Sequence, residues 1–406
     1  MNILLTADGD PLEEGAGAHR VLNEHAQRLA ARGHRVSILF RKIDQDAPSP
    51  AAWKGCRLYP YGADMSSMPR VLRSTLRNAR VALDRICEDG APDVACLHQP
   101  FTGMAFIRRP SFPLVYDFHS PAPAEYLSRL ALRPEATSDL FGKLVHRTLI
   151  PHMIRLLEGM VLKRCSKIFC ESASMRQELQ RWHPRAVRSE ARIIPGGVDI
   201  DRFRPLDDRR RGRERLGLPV DQRIIFVLRL LVPRVGMENF LEALAQLRKL
   251  RSDFVCVIGG KGPLRDPLEK QAARLGLADH VRFLGFVPEE DLADVYGCAD
   301  LFVQPDTELQ GFGLPIPEAL ACGTPVLATP VGGANEILAA LHGGKSLFSG
   351  LDAETMGREM NVALDWSSDA ELRAEFRRYA EERYSWERIV DQLEECLTEA
   401  REDFRG

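Results

Sequence analysis

Two hydrophobic rhythms alternate along this chain of 406 residues. Short apolar runs at 2–7, 34–40, 93–98, 114–119 and 166–172 predict buried strands. Between them apolar residues recur at helical spacing over 19–31 and 68–87, and a mixed helical region covers 124–160. The second half repeats the pattern. Strands are expected at 223–231, 255–262, 281–288, 299–304 and 324–329, with helices at 237–250, 268–275, 291–299, 315–322 and 354–383. A last amphipathic helix opens at Tyr384-Ser385-Trp386 and carries Ile389, Leu393, Cys396 and Leu397. Such alternation builds parallel sheets with crossover helices, so the fold class is α/β.

The helix at 315–322 is sharply bounded. Pro315 and Pro317 are tolerated only in a first turn, and Gly323 sits where a left-handed cap is wanted. Gly311-Phe312-Gly313 lies just before that N-terminus, where unpaired amides and the positive dipole end meet whatever enters. Glycine allows a close approach, which suits a phosphate, and equally suits a crossover packed tightly for its own sake. Glu318, in the first turn, is an acceptor-only carboxylate suited to sugar or ribose hydroxyls. At the chain's start a strand, a loop with Gly15 and Gly17, and a helix form a Rossmann-like opening without a full GxGxxG. His98 and His119 end two predicted strands, where side chains of a parallel sheet line a ligand crevice or simply bond to the loop.

Composition narrows the class. The length, with 45% apolar residues, implies two domains, and a net charge of -2 gives no reason to expect nucleic acid. Nine cysteines occur without CxxC pairs or metal-like histidine spacing, which points to reduced core thiols and a cytoplasmic setting. Neither an export signal nor a membrane-length apolar span is read from the sequence. Arg70, Arg73, Arg77 and Arg80 line one face of the helix at 68–87 beside Leu72, Leu76, Ala79, Leu83 and Ile86. That stripe reads as a peripheral contact with an anionic membrane or acceptor, or as a solvated flank.

The stretch 300–336 resembles the donor-site segment of retaining GT-B-type glycosyltransferases of family four, glycosyltransferase group 1. That family's pattern is Glu, Gly-Phe-Gly, a second Glu, a Cys-Gly-Thr-Pro-Val strand and Val-Gly-Gly. Here Gln310 stands at the first Glu, Glu318 is the second, and 321–326 and 331–333 match. Tyr116-Asp117-Phe118-His119-Ser120 is similar to the family's acceptor-domain motif, and 193–205 to its Pro-Gly-Val-Asp connector, with Phe203 and Pro205 in place. One element departs from the pattern. The family has an Arg at the end of the first donor-domain strand and a Lys before the following glycine, whereas this chain has Leu230 and Val235, with Arg229 and Arg234 each one residue earlier. On a strand such a slip turns the side chain to the other face, though at a strand end a bulge can restore it.

The resemblance implies two Rossmann-like domains with parallel sheets facing a central cleft: an acceptor-binding domain at 1–205, a donor-binding domain at 206–383, and a helix at 384–406 crossing back to the first. It implies retaining transfer of a sugar from a nucleoside-diphosphate donor, UDP- or GDP-linked, to an unidentified hydroxyl. Catalytic roles fall to His119, Gln310 and Glu318, and donor binding to Gly17, Arg229, Arg234, Phe286, Gly311, Phe312, Gly313, Leu314 and Glu318. No cofactor is implied. The absence of a dense carboxylate cluster or DxD-like pair suggests no metal, with the protein's own positive groups stabilising the leaving diphosphate.

Two rivals remain at this stage. Gln310, Leu230 and Val235 all depart from the family's donor-site side chains, which would suit a non-catalytic binding or scaffold relative. Glu308 and Glu318 could mimic a glycosidase's paired carboxylates, but one lies in a loop and the other in a phosphate-facing turn.

Overall fold

The computed structural model describes residues 1–12, 17–42, 51–108, 111–130, 140–186, 190–308 and 311–405. The chain divides into two compact units. The first comprises Met1–Pro195 with Glu387–Gly406, and the second Gly196–Trp386.

In the first unit the strands are β1 (Asn2–Ala7), β2 (Arg35–Lys42), β3 (Ala52–Trp53), β4 (Cys56–Gly62), β5 (Val94–Leu97), β6 (Leu114–Phe118), β7 (Lys167–Cys170) and β8 (Arg192–Ile193). They form one sheet in the order β3-β4-β2-β1-β5-β6-β7-β8, parallel except for the β3-β4 pair. The β3-β4 hairpin was not anticipated from the sequence, where Pro60 interrupts the apolar run. Sheet order reverses at β1, between β2 and β5, so the crevice beyond the carboxyl ends of β1 and β5 is the natural place for a ligand. Helix α1 (Gly17–Ala31) buries Val21, Leu22, His25, Ala26 and Leu29. Helix α2 (Met68–Glu88) buries Val71, Thr75, Ala79, Ala82 and Ile86, so its core face is turned by about one residue from the Leu72–Leu76–Leu83 stripe. Leu72, Leu76 and Leu83 are half-buried, whereas Arg70, Arg73 and Arg77 are exposed. The C-terminal helix (Trp386–Arg405) is tied to this unit through Arg192 and Glu399 (2.8 Å), Lys167 and Asp403 (2.9 Å), and Arg32 and Glu394 (3.0 Å).

In the second unit β9 (Arg223–Leu228), β10 (Phe254–Gly259), β11 (Val281–Gly285), β12 (Leu301–Gln304) and β13 (Val326–Ala328) form a parallel sheet in the order β11-β10-β9-β12-β13. This is the doubly wound arrangement, with its switch point between β9 and β12. Helix Met237–Leu250 packs Phe240, Leu241, Leu244 and Leu247 into the core with Ile225, Val227, Cys256 and Ile258. Below β12, the buried Asp300 gathers Arg209 (3.0 Å), Arg213 (2.7 Å), the Ile224 amide (2.7 Å) and the Ser367 hydroxyl (2.9 Å). Among the described residues no helix is long and apolar enough to cross a membrane.

Candidate functional site

In the second unit, helix Pro315–Ala321 opens directly behind Gly313 and Leu314. Its prolines carry no N–H, and the amides of Ile316 and Glu318 turn back to the carbonyls of Gly313 (2.9 Å) and Leu314 (3.2 Å). The amides this end can offer an anion are therefore those of residues 311–314. Phe312 and Leu314 bury their side chains, and Phe312 lies 5.5 Å from the Tyr384 ring, so only their backbone is available at this turn. Gly333 sets the shape of this turn. Its amide donates to the Gly311 carbonyl at 3.1 Å, and a Cβ there would stand 2.4 Å from the Phe312 carbonyl oxygen. Glu318 is buried, and its Oε2 accepts a 3.0 Å hydrogen bond from the Tyr296 hydroxyl, which fixes the carboxylate's direction.

Across the switch point, Arg229 follows β9 and Asp306 follows β12, and they pair at 2.6 Å (Nη2 to Oδ1). Burial raises the Asp306 pKa, while the paired Arg229 guanidinium, and to a lesser degree the charge of Arg234, pull it back down. Arg234 lies in the 3-10 turn Pro233–Val235, whose approach to β12 depends on Gly236: a Cβ there would be 2.3 Å from the Pro305 carbonyl oxygen. At the two family cation positions, Leu230 is 59% exposed and Val235 only 1% exposed. Each is fitted to the place it occupies. Gln304, at the end of β12, is buried beside the Asp306 carboxylate. Phe286, just past β11, is 40% exposed, with Lys261 Nζ 4.9 Å from its ring centre. An exposed aromatic face of this kind can stack on a base.

In the first unit, Gly17 opens α1, and a Cβ there would meet nothing within 4 Å. His119 follows β6 and both its ring nitrogens are engaged: Nδ1 with Glu171 Oε1 at 2.9 Å, and Nε2 with His98 Nδ1 at 3.0 Å. Asp117 Oδ2 lies 3.2 Å from His98 Nδ1 and 3.3 Å from His119 Nε2. Burial disfavours an imidazolium at His119, but Asp117 and Glu171 outweigh it and raise its pKa to about 9. His98 is driven well down by burial and by the His119 charge. Burial raises Asp117 despite the neighbouring His119.

The structure thus brings Gly311, Phe312, Gly313, Leu314 and Glu318 together at the start of one helix and pairs Arg229 with Asp306, with Arg234 in the adjacent turn. Gln310 lies outside the described residues, as does Gly15. Asp306, Tyr296, Glu171 and Gly333's buttress of the turn were not picked out as functional from the sequence. Asp306 stands two residues past a strand end, close to the position that marks His98 and His119, which directly follow theirs. For Tyr296 and Glu171 no local signal exists, since their partners are 22 and 52 residues away in sequence.

Comparison with known proteins is consistent across the length. The family described as "Glycosyltransferase Family 4" matches residues 15–202, and "Glycosyl transferases group 1" matches 208–383. The D-inositol 3-phosphate glycosyltransferase of Geodermatophilus obscurus is 31% identical, over 98% of this chain and 89% of its own. The GDP-mannose-dependent alpha-(1-6)-phosphatidylinositol monomannoside mannosyltransferase of Mycolicibacterium smegmatis is 35% identical over 52% of this chain and 56% of its own. Among solved structures, sucrose-phosphate synthase from Thermosynechococcus elongatus superimposes with TM-score 0.77 at 22% identity over 98% of each chain. The Anabaena HepE complex with UDP-glucose does so at 0.73 and 19% identity, covering 98% of this chain and all of the other.

Proposed function

Because the chain belongs to the family-four, group 1 glycosyltransferases and has their GT-B fold, it is a nucleotide-sugar-dependent transferase, and we propose that it transfers the sugar with retention of configuration. The observation that carries the donor assignment is the single turn holding the amides of residues 311–314 beside the buried Glu318 carboxylate. The amides take the diphosphate and sugar, Glu318 takes the ribose hydroxyls, and Gln310 reaches the sugar hydroxyls. Arg229 and Arg234 supply positive charge to the leaving diphosphate, so no metal ion is needed there. Phe286 stacks on the base, UDP or GDP being the nucleotides to try first.

In a retaining transfer on one face, the acceptor hydroxyl forms its bond to the anomeric carbon as the carbon–diphosphate bond breaks. The acceptor's proton passes to the departing phosphate oxygen. No side-chain nucleophile enters. His119, with both nitrogens committed, shapes the sugar side rather than serving as a free acid or base. The relatives' names make a phosphorylated inositol the first acceptor to test.

Titration calorimetry with UDP, GDP and ADP, then with the matching nucleotide sugars, tests this reading. Micromolar binding of one base is expected, with Glu318→Ala losing about 30- to 150-fold in affinity (roughly 2–3 kcal/mol) while still folding, at a lower melting temperature because the buried Tyr296 hydroxyl loses its acceptor. Equal affinity in the variant would remove Glu318 from the site. The absence of binding by any of the three would overturn the donor assignment.

A further inference from the structure

The first unit contains a group of buried donor atoms in which His119 is joined by two residues, His98 and Asp117, that the proposed transfer does not use. His98 Nδ1, His119 Nε2 and Asp117 Oδ2, from the carboxyl ends of β5 and β6, form a triangle with edges of 3.0, 3.2 and 3.3 Å. Donors about 2.1 Å from one ion stand roughly 3.0–3.4 Å apart, whether its geometry is octahedral or tetrahedral. The triangle has the size of one face of a coordination sphere.

Protons alone satisfy it poorly. Asp117 is wholly buried, and neither of its oxygens meets a hydrogen-bond donor in good geometry among the described residues; the same holds for His98 Nε2. A buried carboxylate left in that state is costly. Glu171 adds a second carboxylate behind His119, bonded to Nδ1 at 2.9 Å. When an ion replaces the proton on Nε2, this contact keeps the remaining proton on Nδ1 and holds the ring in place, the usual support behind a metal-bound imidazole. One dication would balance the charges of Asp117 and Glu171 together. Buried His25 of α1 brings a further imidazole, so that one donor atom each from His25, His98 and Asp117 lie within 4.8 Å of one another.

We propose that His98, Asp117 and His119 bind one divalent transition-metal ion, with Glu171 as the positioning residue for His119. Two imidazoles and one carboxylate favour Zn²⁺, Co²⁺, Fe²⁺ or Mn²⁺ over Mg²⁺ and Ca²⁺, which prefer all-oxygen sets. All four residues belong to the first unit. It parts from the expectation that the chain holds no metal. Sequence alone does not reveal it, because the ligands come from separate strands and lack any metal-binding spacing.

The test is a titration of chelator-stripped full-length protein with Zn²⁺ and Co²⁺, read by metal analysis after dialysis and by the visible absorption of bound Co²⁺. About one ion per chain is expected, with Co²⁺ bands showing nitrogen and oxygen ligation. His98→Gln should abolish both signals. Glu171→Gln should weaken Co²⁺ binding by about 10- to 100-fold while leaving the band positions nearly in place. Should His98→Gln not fold, the Glu171→Gln comparison decides by itself. Failure of the wild type to retain ion, or affinity unaffected by Glu171→Gln, overturns the proposal and leaves a proton-sharing histidine–carboxylate network only.

Discussion

At the scale of single residues, the informative pair is Arg229 and Arg234, which stand one position before the places where the family carries its cations. The register slip is not repaired by turning either strand-end side chain. Instead Leu230 points to solvent, Val235 enters the core, and Arg229 pairs with Asp306 while Arg234 stands in the neighbouring turn. This arrangement makes the arginines separable by experiment. Arg229→Ala leaves the buried Asp306 without its 2.6 Å partner and should cost about 3–5 kcal/mol of stability as well as diphosphate affinity. Arg234→Ala, at a half-buried position in a turn, should weaken nucleoside-diphosphate binding about tenfold with little change in melting temperature. Denaturant melts and calorimetry on both variants check this, and an Arg234→Ala protein that binds as wild type would deny that arginine a phosphate contact. Sequence reading could identify the two arginines as candidates, but not Asp306 as the partner of Arg229. The 2.6 Å contact joins loops 77 residues apart, so only the sheet order brings them together.

At the scale of elements, the network under β12 decides how firmly the second sheet is held. Arg213 is buried and gives its guanidinium to Asp300 and to the carbonyls of Cys298 and Gln222. Asp300→Asn removes the countercharge from that buried cation and should destabilise the unit by about 3–5 kcal/mol. Burial alone would raise the Asp300 pKa, but Arg209, Arg213, the Ile224 amide and Ser367 outweigh it and hold it below 3.8. Folding therefore draws stability from the ionised form above the unfolded-state pKa of about 3.8. That contribution is lost as pH falls through the lower folded-state value. Urea melts from pH 6 to 3 should show a smaller acid-side loss in Asp300→Asn than in wild type. Equal pH slopes would exclude Asp300 as the source. The elements themselves were largely legible, because apolar period and the Pro315–Gly323 punctuation are local signals. The β3-β4 hairpin and the rotation of α2 were not, since an edge hairpin's pairing and a helix's core face are chosen by neighbouring elements.

At the scale of the whole molecule, chain order and compact units do not coincide. The last 20 residues, Glu387–Gly406, join the first unit although they follow the second in sequence. They contribute Ile389, Val390, Leu393, Cys396, Leu397 and Ala400, all buried, besides the ion pairs to Arg32, Lys167 and Arg192. A chain ending at Ser385 should lose on the order of 5–10 kcal/mol of apolar burial and expose the first unit to limited proteolysis. A truncated protein that melts and resists protease as the full chain does would show the helix to be dispensable. By itself, the sequence determined the α/β class and the start of the helix at Pro315, because each rests on periodicity or on neighbours within a few residues. Family membership was legible for the same reason: its motifs are contiguous words. Tertiary structure alone decided which charges meet, as in Arg229 with Asp306, Glu318 with Tyr296, and the Asp117–His98–His119 triangle. These contacts link carboxyl ends of different strands or a helix to a helix, and their spacing follows from sheet order and packing, which no local stretch of sequence encodes.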